Sequence, residues 1–317
     1  MAEIGQDIAK AKYILENGGL VAVPTETVYG LAANGLNAKA VAKVFEAKKR
    51  PSFNPLILHM NSIQTAKEIV ESIPEEALDL AKQFWPGPLT MVLKKKSFVP
   101  DLVTSGLDSV AIRIPRHDLT RQLLAQLDFP LAAPSANPFG YISPVKAKHV
   151  NQQLGESIDY ILDGGFCKIG LESTIVSCIG EPTVLRLGGL AIEEIQSVIP
   201  DIKINTHSSS KPSAPGMLES HYAPKKSVEL KESFDPSSVD DFFQFGALVF
   251  QHYMDEIPKQ NQYILSSNGD LNEAAQRLFT GLRTLDADSR ISRIITEFVP
   301  EKGLGRAIND RIKRATA

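Results

Sequence analysis

The run Pro24-Thr25-Glu26-Thr27-Val28-Tyr29-Gly30 places hydroxyls and a carboxylate directly behind an apolar stretch, residues 20–23. The stretch reads as a buried strand. It ends on a proline that cannot donate to a sheet ladder, and α/β proteins place ligands at such strand mouths. Cations follow. Lys48-Lys49-Arg50 closes a helical pattern, and Arg50-Pro51-Ser52-Phe53-Asn54-Pro55 clamps a guanidinium and an amide between two prolines. Basic residues at a helix end suit the macrodipole anywhere, but a rigid loop with fork donors suits phosphate. Ala133-Pro134-Ser135-Ala136-Asn137-Pro138 repeats the sequence of strand, proline, hydroxyl and amide, and Glu172-Ser173-Thr174 follows Gly164, Gly165 and Gly170. Arg113 in Ala111-Ile112-Arg113-Ile114 and Arg186 in Leu185-Arg186-Leu187 lie inside apolar strand patterns. A charge there is costly unless it is paired or binds an anion, and either a salt bridge or a bound anion satisfies each. His59 ends an apolar strand, where a histidine serves as a hydrogen-bonded core residue as readily as a ligand.

Other chemistries lack their signatures. The chain has no G-x-x-x-x-G-K-[ST] phosphate loop, no G-x-G-x-x-G dinucleotide fingerprint and no G-x-S-x-G elbow. Its two cysteines, Cys167 and Cys178, have no zinc spacing, so no protein-bound metal is expected. So few cysteines fit a reducing compartment. A formal net charge of -3 means that any nucleic-acid contact needs a local basic patch. No window has the length and apolarity of a membrane span, and residues 1–12 lack a signal-peptide core. A cytoplasmic protein is expected.

The elements that must position these residues alternate irregularly. Helices are predicted over 4–16, 38–48, 63–73, 75–84, 118–127 and 191–198, the fifth capped by Asp118. Strands are predicted over 20–23, 55–60, 89–93, 110–114, 130–134, 160–162, 174–177 and 184–187. Several neighbouring strands read as antiparallel, which indicates an open, twisted, mixed α/β sheet. Between 205 and 217 Ser, Pro and Gly dominate and apolar periodicity stops, as in a linker. Beyond it, strands over 227–230, 247–251, 263–266 and 290–296 and helices over 271–285 and 305–314 fit a second, smaller Rossmann-like α/β domain. The division expected is 1–204, a linker over 205–224 and a domain over 225–317. The linker is either a passive tether or a lid over the site.

Taken in order, the loops resemble the threonylcarbamoyl-AMP synthase family, whose catalytic unit is the YrdC-like domain. The matching residues are Pro24 to Gly30, then Lys48-x-Arg50-Pro51-x-x-Asn54-Pro55-Leu56, Ser135-x-Asn137 and Ser173-Thr174. His221-Tyr222-Ala223-Pro224 and Gly303-Leu304-Gly305-x-Ala307-Ile308-x-Asp310-Arg311 extend the likeness to the long form of the family. One departure is Leu218-Glu219-Ser220, where many long-form members carry a basic run.

The resemblance implies an enzyme that joins L-threonine, bicarbonate or CO2 and ATP into threonylcarbamoyl-AMP and pyrophosphate, with Mg²⁺ accompanying ATP. It implies that the product passes to a tRNA threonylcarbamoyl transferase for t6A modification, with at most weak contact to tRNA. It puts Thr27, His59, Arg113, Ser173 and the Ala133 backbone around threonine. Lys48, Arg50, Asn54, Ser109, Ser135, Asn137, Ser143, Arg186 and Tyr222 fall around the nucleotide, with Lys48 and Arg50 acting on the triphosphate. The competing class is a non-catalytic module that binds double-stranded RNA or tRNA. Carbamoyl transfer in hydrogenase maturation uses a related domain, but with zinc-finger cysteines that this chain lacks.

Overall fold

The computed structural model describes residues 1–206, 222–233 and 242–316. Residues 207–221, with most of the linker and the lid expectation, lie outside the described residues. Two compact units emerge. Among the described residues the first takes in 1–139, 143–168 and 172–206, and the second takes in 140–142, 169–171, 222–233 and 242–316.

The first unit opens with β1 (Glu3–Gly5), α1 (Ile8–Glu16), β2 (Val21–Val23), β3 (Gly30–Asn34), α2 (Ala38–Lys48) and β4 (Ile57–His59). It continues through α3 (Ile63–Ile69), α4 (Glu75–Phe84), β5 (Leu89–Lys94), α5 (Asp101–Thr104), β6 (Ser109–Arg113), α6 (Asp118–Leu124) and β7 (Leu131–Ala132). It ends with α7 (Ala147–Leu154), β8 (Tyr160–Leu162), β9 (Thr174–Ser177), β10 (Thr183–Arg186), α8 (Ile192–Gln196) and β11 (Lys203–Ile204). The strands form one sheet in the order β1-β8-β2-β3-β7-β4-β6-β5-β9-β10-β11. Its pairings are mixed, as expected: β4 runs parallel to β6 and β5 to β9, whereas β5 is antiparallel to β6 and β2 to β3. Helices α1 and α6 contribute Leu15, Leu123 and Leu124 to a core with Val21, Val23, Ala32 and Leu131.

Local chemistry sets the boundaries. The first helix begins at Ile8, not Ile4, because the Asp7 carboxylate caps it by accepting from Lys10 N at 2.9 Å. Ile4 belongs instead to β1, which pairs with β8. Asp118 lies in the first turn of α6, where a carboxylate meets the helix dipole, and makes no capping bond. Strand β3 escaped the sequence reading because Gly30-Leu31-Ala32-Ala33-Asn34 has little β-branched character. Helix α2 is capped by Asn37 Oδ1, which accepts from Lys39 N at 3.0 Å and Ala40 N at 3.3 Å. It ends on Lys49 in the left-handed region, φ 50°, and this reversal separates Lys48 from Arg50.

The second unit carries β12 (Ser227–Leu230), β13 (Phe245–Val249), β14 (Gln262–Ile264), α9 (Leu271–Ala287), β15 (Arg293–Thr296) and α10 (Gly305–Ala315). Its sheet, β12-β15-β13-β14, is parallel throughout, as a Rossmann-like unit requires. Helix α9 packs on β13 and β14. A Cβ at Gly281 would come within 2.5 Å of Leu248 Cδ1, so the helix approaches the sheet through a glycine.

Because α2 ends in the Lys48–Arg50 cluster, its cap is testable apart from the site. Asn37→Ala is expected to lower stability by about 1 kcal/mol. The measurement is the urea midpoint, with the slope of the transition unchanged.

Candidate functional site

Sheet register aligns a row of side chains. Across β7, β4, β6, β5, β9 and β10 the paired positions are Leu131, His59, Arg113, Thr90, Ile175 and Arg186. Residues directly opposite on neighbouring strands share a face, so His59, Arg113 and Thr90 look to one side, and Arg186, just past a bulge in β10, meets Ser173 Oγ, which lies against Thr90. Two residues along, Ile57, Ala111 and Val92 form an apolar row that clusters with Ile175. Ser109 opens β6 on that same face, four residues before Arg113 and roughly 13 Å from it at strand rise.

Arg113 is 4% exposed. Its Nη2 donates to Glu26 Oε1 at 2.7 Å and its Nε to the Gly87 carbonyl at 3.2 Å. Glu26 Oε2 also accepts from Arg116 N at 2.9 Å. The salt bridge that the apolar context allowed is therefore formed, and two of the three guanidinium nitrogens are committed. Thr27 is fully buried, its hydroxyl 2.7 Å from that of Thr25. Ser173 Oγ lies 2.7 Å from Thr90 Oγ1. Arg186 Nη2 donates to the Ser173 carbonyl at 2.8 Å and to Ser173 Oγ at 3.2 Å. Arg186, expected beside the nucleotide, thus sits in the row that carries the expected threonine residues.

A second cluster gathers the remaining cations. Lys48, 1% exposed, donates from Nζ to the Ser135 carbonyl at 2.5 Å and to the Asn137 carbonyl. Burial, then the neighbouring Arg50, pushes its pKa well below the usual lysine value. Arg50 reaches across its proline-clamped loop: Nη2 donates to Asn54 Oδ1 at 2.6 Å and to the Pro55 carbonyl at 2.9 Å. Ala133 N donates to the Ile57 carbonyl at 3.1 Å, and Gly30 bridges to Ser135, which ties this loop to the sheet. Ser143 Oγ donates to Glu172 Oε1 at 2.5 Å, and Glu172 is the residue before Ser173. That bond ties the chain after Asn137 to the residue that precedes Ser173. Tyr222 belongs to the second unit, where its ring stacks on Phe279 at 5.5 Å and lies under the Arg311 guanidinium at 5.0 Å.

Two atoms point to a ligand. Asn54 Nδ2 and His59 Nδ1 are buried and have no hydrogen-bond partner among the described residues. Such groups are costly to leave unsatisfied, and the first is a donor suited to an anion. Thr90 was not singled out from sequence, and Glu26 and Glu172 were named among the polar loops without an assigned role. Glu26 and Glu172 stand in the quoted runs, but only the fold shows which cation or hydroxyl each meets. Among the described residues no three His, Cys, Asp or Glu side chains are grouped to hold a metal ion. A cavity of about 320 Å³, lined by Met60, Leu124, Leu127 and Phe129 among others, holds none of the candidate residues.

Burial, then the Arg113 charge, depresses the His59 pKa to about 3. Below pH 6.5 the unfolded chain protonates this histidine and the folded chain does not. Stability from this group is therefore complete above pH 6.5 and falls as the pH drops. Relative to wild type, His59→Gln is expected to remove roughly 1.5 kcal/mol of the stability lost between pH 6.5 and pH 5, measured by urea unfolding at each pH.

Known proteins carry the same organisation. Residues 13–188 match the Sua5, YciO and YrdC family model described as telomere recombination, and residues 190–317 match the threonylcarbamoyl-AMP synthase C-terminal domain. Threonylcarbamoyl-AMP synthase of Pyrococcus abyssi is 41% identical over 314 residues, 95% of this chain and 92% of the relative. That of Bacillus subtilis is 39% identical over 321 residues, 97% of this chain and 92% of the relative. The crystal structure of P. abyssi Sua5 complexed with L-threonine superposes with a TM-score of 0.89 at 38% identity, covering 100% of this chain and 97% of that one. With both domain models matched in sequence order and relatives aligned over nearly their full length, the chain belongs to the threonylcarbamoyl-AMP synthase family in its two-domain form.

Proposed function

We propose that the chain is an L-threonylcarbamoyladenylate synthase: it condenses L-threonine, bicarbonate or CO2 and ATP into threonylcarbamoyl-AMP and pyrophosphate, supplying the t6A modification of tRNA. The reading rests on one arrangement. Four cations, Lys48, Arg50, Arg113 and Arg186, are each 9% exposed or less, and they bond to loops and strand ends of one sheet. Cations so far out of water favour a small anionic substrate that enters the fold over the backbone of a nucleic-acid duplex.

Arg113 takes the threonine carboxylate. Glu26 and the Gly87 carbonyl hold the guanidinium by Nη2 and Nε, which fixes the direction of Nη1. Thr27, His59 and Ser173 surround the rest of the amino acid, and neutral His59 adds no positive charge beside the amine. Lys48, Arg50 and Asn54 face the phosphates, with Ser135, Asn137, Ser143 and Arg186 on the nucleotide side. Mg²⁺ enters as part of the ATP substrate and neutralises phosphate charge.

The chemistry needs no enzyme nucleophile. The amine attacks CO2, the carbamate oxygen attacks the α-phosphorus, and pyrophosphate leaves. Carboxylate, carbamate and triphosphate repel one another, so the protein's task is to offset that charge, align the groups and exclude water from a labile carbamate. The product passes to a tRNA threonylcarbamoyl transferase in the cytoplasm, and a weak contact with tRNA accompanies that transfer.

The direct test is pyrophosphate release from ATP, which is expected only with threonine and bicarbonate both present. Release independent of threonine, or salt-steep RNA binding without release, defeats the proposal. Arg113→Lys is expected to raise the KM for threonine at least tenfold more than that for ATP, because one ammonium cannot reproduce the fork. Arg50→Ala is expected to cost about 100-fold or more in turnover, the scale of one preorganised donor at a developing charge. Wild-type steady-state kinetics in either variant rejects that residue's role.

A further inference from the structure

The turn between β2 and β3 is organised by one buried hydroxyl. Thr25, 2% exposed, sets its Oγ1 against four polar atoms of the same turn. It lies 2.6 Å from the Val28 carbonyl oxygen and 2.7 Å from Thr27 Oγ1, and it accepts from Thr27 N at 3.1 Å and Val28 N at 3.2 Å. A hydroxyl has one proton and two lone pairs. The carbonyl has no proton to offer, and two oxygens so close attract only with a proton between them, so the Thr25 proton goes to Val28. The contact with Thr27 also needs a proton, and only the Thr27 hydroxyl can supply it. Thr27 therefore donates to Thr25, while the two amides share the remaining lone pair.

The consequence falls on Thr27. It is fully buried, and its hydroxyl meets no further polar atom among the described residues. With its proton committed, it can only accept. Ser173 is wired otherwise. Its Oγ accepts from Arg186 Nη2 at 3.2 Å and shares a proton with Thr90 Oγ1, 2.7 Å away, so when Thr90 donates, Ser173 keeps its own proton for a ligand. The turn is also fastened on both sides of Thr25: the Thr120 hydroxyl donates to the Pro24 carbonyl, and Glu26 accepts from Arg113.

We propose that Thr25 is a positioning residue for the threonine amine: by taking the Thr27 proton it leaves Thr27 Oγ1 as a pure acceptor for an amine N–H. The proposal rests on the placement of Thr27 beside threonine in the synthase reading. The threonine carboxylate has no proton and goes to Arg113. The threonine hydroxyl can donate or accept, so a partner of either polarity serves it. The amine is more demanding, because attack uses its lone pair, and a hydroxyl free to turn would donate into that pair. An oxygen that only accepts takes an N–H, orients the nitrogen and leaves the pair to CO2. As the N–C bond forms, a C=O pair of CO2 moves onto oxygen and one N–H proton passes to solvent.

The test is steady-state pyrophosphate release by the full chain, comparing wild type with Thr25→Val, Thr25→Ser, Thr27→Val and the Thr25→Val/Thr27→Val double variant. Thr25→Val keeps the shape and removes the acceptor. It is expected to lower kcat/KM for threonine about tenfold, the scale of one buried hydrogen bond, with the KM for ATP unchanged. Thr25→Ser, which retains the hydroxyl, is expected to restore the wild-type value. A Thr25 that only supported the turn would cost as much again when residue 27 is already valine. The double variant is expected to match Thr27→Val instead, because both changes remove one interaction. L-2-Aminobutyrate keeps the amine and lacks the hydroxyl, so it should show the same loss in Thr25→Val as threonine does. Independent losses in the double variant, or a loss that vanishes with L-2-aminobutyrate, overturns the role. Should Thr25→Val not fold, Thr27→Val decides, and a wild-type kcat/KM for threonine there overturns the proposal. Threonine-dependent release by wild type with an unaffected Thr25→Val defeats this inference alone. No threonine-dependent release by wild type defeats the synthase reading, and the role of Thr25 falls with it.

Discussion

The cost of taking cations out of water governs the first unit. Lys48, Arg50, Arg113 and Arg186 are all buried, and an ion in that setting needs fixed oxygen partners; even with them, burial and then Arg50 push the Lys48 pKa well down. Each has been given them differently. Arg113 has a full carboxylate, Arg50 an amide and two carbonyls of its own loop, Lys48 two carbonyls of a distant loop, and Arg186 the carbonyl and hydroxyl of Ser173. Only Arg113 meets a carboxylate among these bonds. Carbonyls and amides orient a cation without cancelling its charge.

The same bonds make the loops mutually dependent. Lys48 closes α2 yet fastens Ser135 and Asn137, and Glu172 takes the Ser143 hydroxyl while its neighbour Ser173 anchors Arg186. A shift in one loop must therefore move a buried charge in another. Glycine at 188 fits this tightness. A Cβ there would collide with the Glu172 carbonyl and would stand 2.5 Å from Thr174 N.

Much of this was legible in the residues. Proline after an apolar run marked where β2 and β7 stop, and arginines in apolar strands marked Arg113 and Arg186 as buried and engaged. Strands with alternating or β-branched patterns, such as those over residues 160–162 and 174–177, were placed to the residue. What stayed hidden depended on long-range pairing. β1 is an exposed edge strand of three residues that exists because β8 is beside it, and a helical spacing that includes Ile4 cannot reveal that. The partner of Arg113 is Glu26, 87 positions away in sequence, and the cross-strand row needs the register of six strands. The bonds from Arg186 to Ser173 arise because β10 lies next to β9 in the sheet, a pairing that the sequence pattern does not show.

The site is made of loops, and loops are the cheapest part of a fold to disorder. Carbamate chemistry tolerates little disorder, because a misplaced oxygen either misses the α-phosphorus or meets water first. Inside the first unit, the sheet and the buried cations immobilise the loops around Thr27, Asn54 and Ser135. In the second unit the peptides Gly140–Ile142 and Ile169–Leu171 are held by the 17-residue helix α9, with Asp286 on the Tyr141 hydroxyl, Arg283 on the Ile142 carbonyl and Gln276 beside Gly170. A helix of that length carries Gln276, Arg283 and Asp286 at defined separations along one rod, so it spaces those two peptides as no flexible segment could.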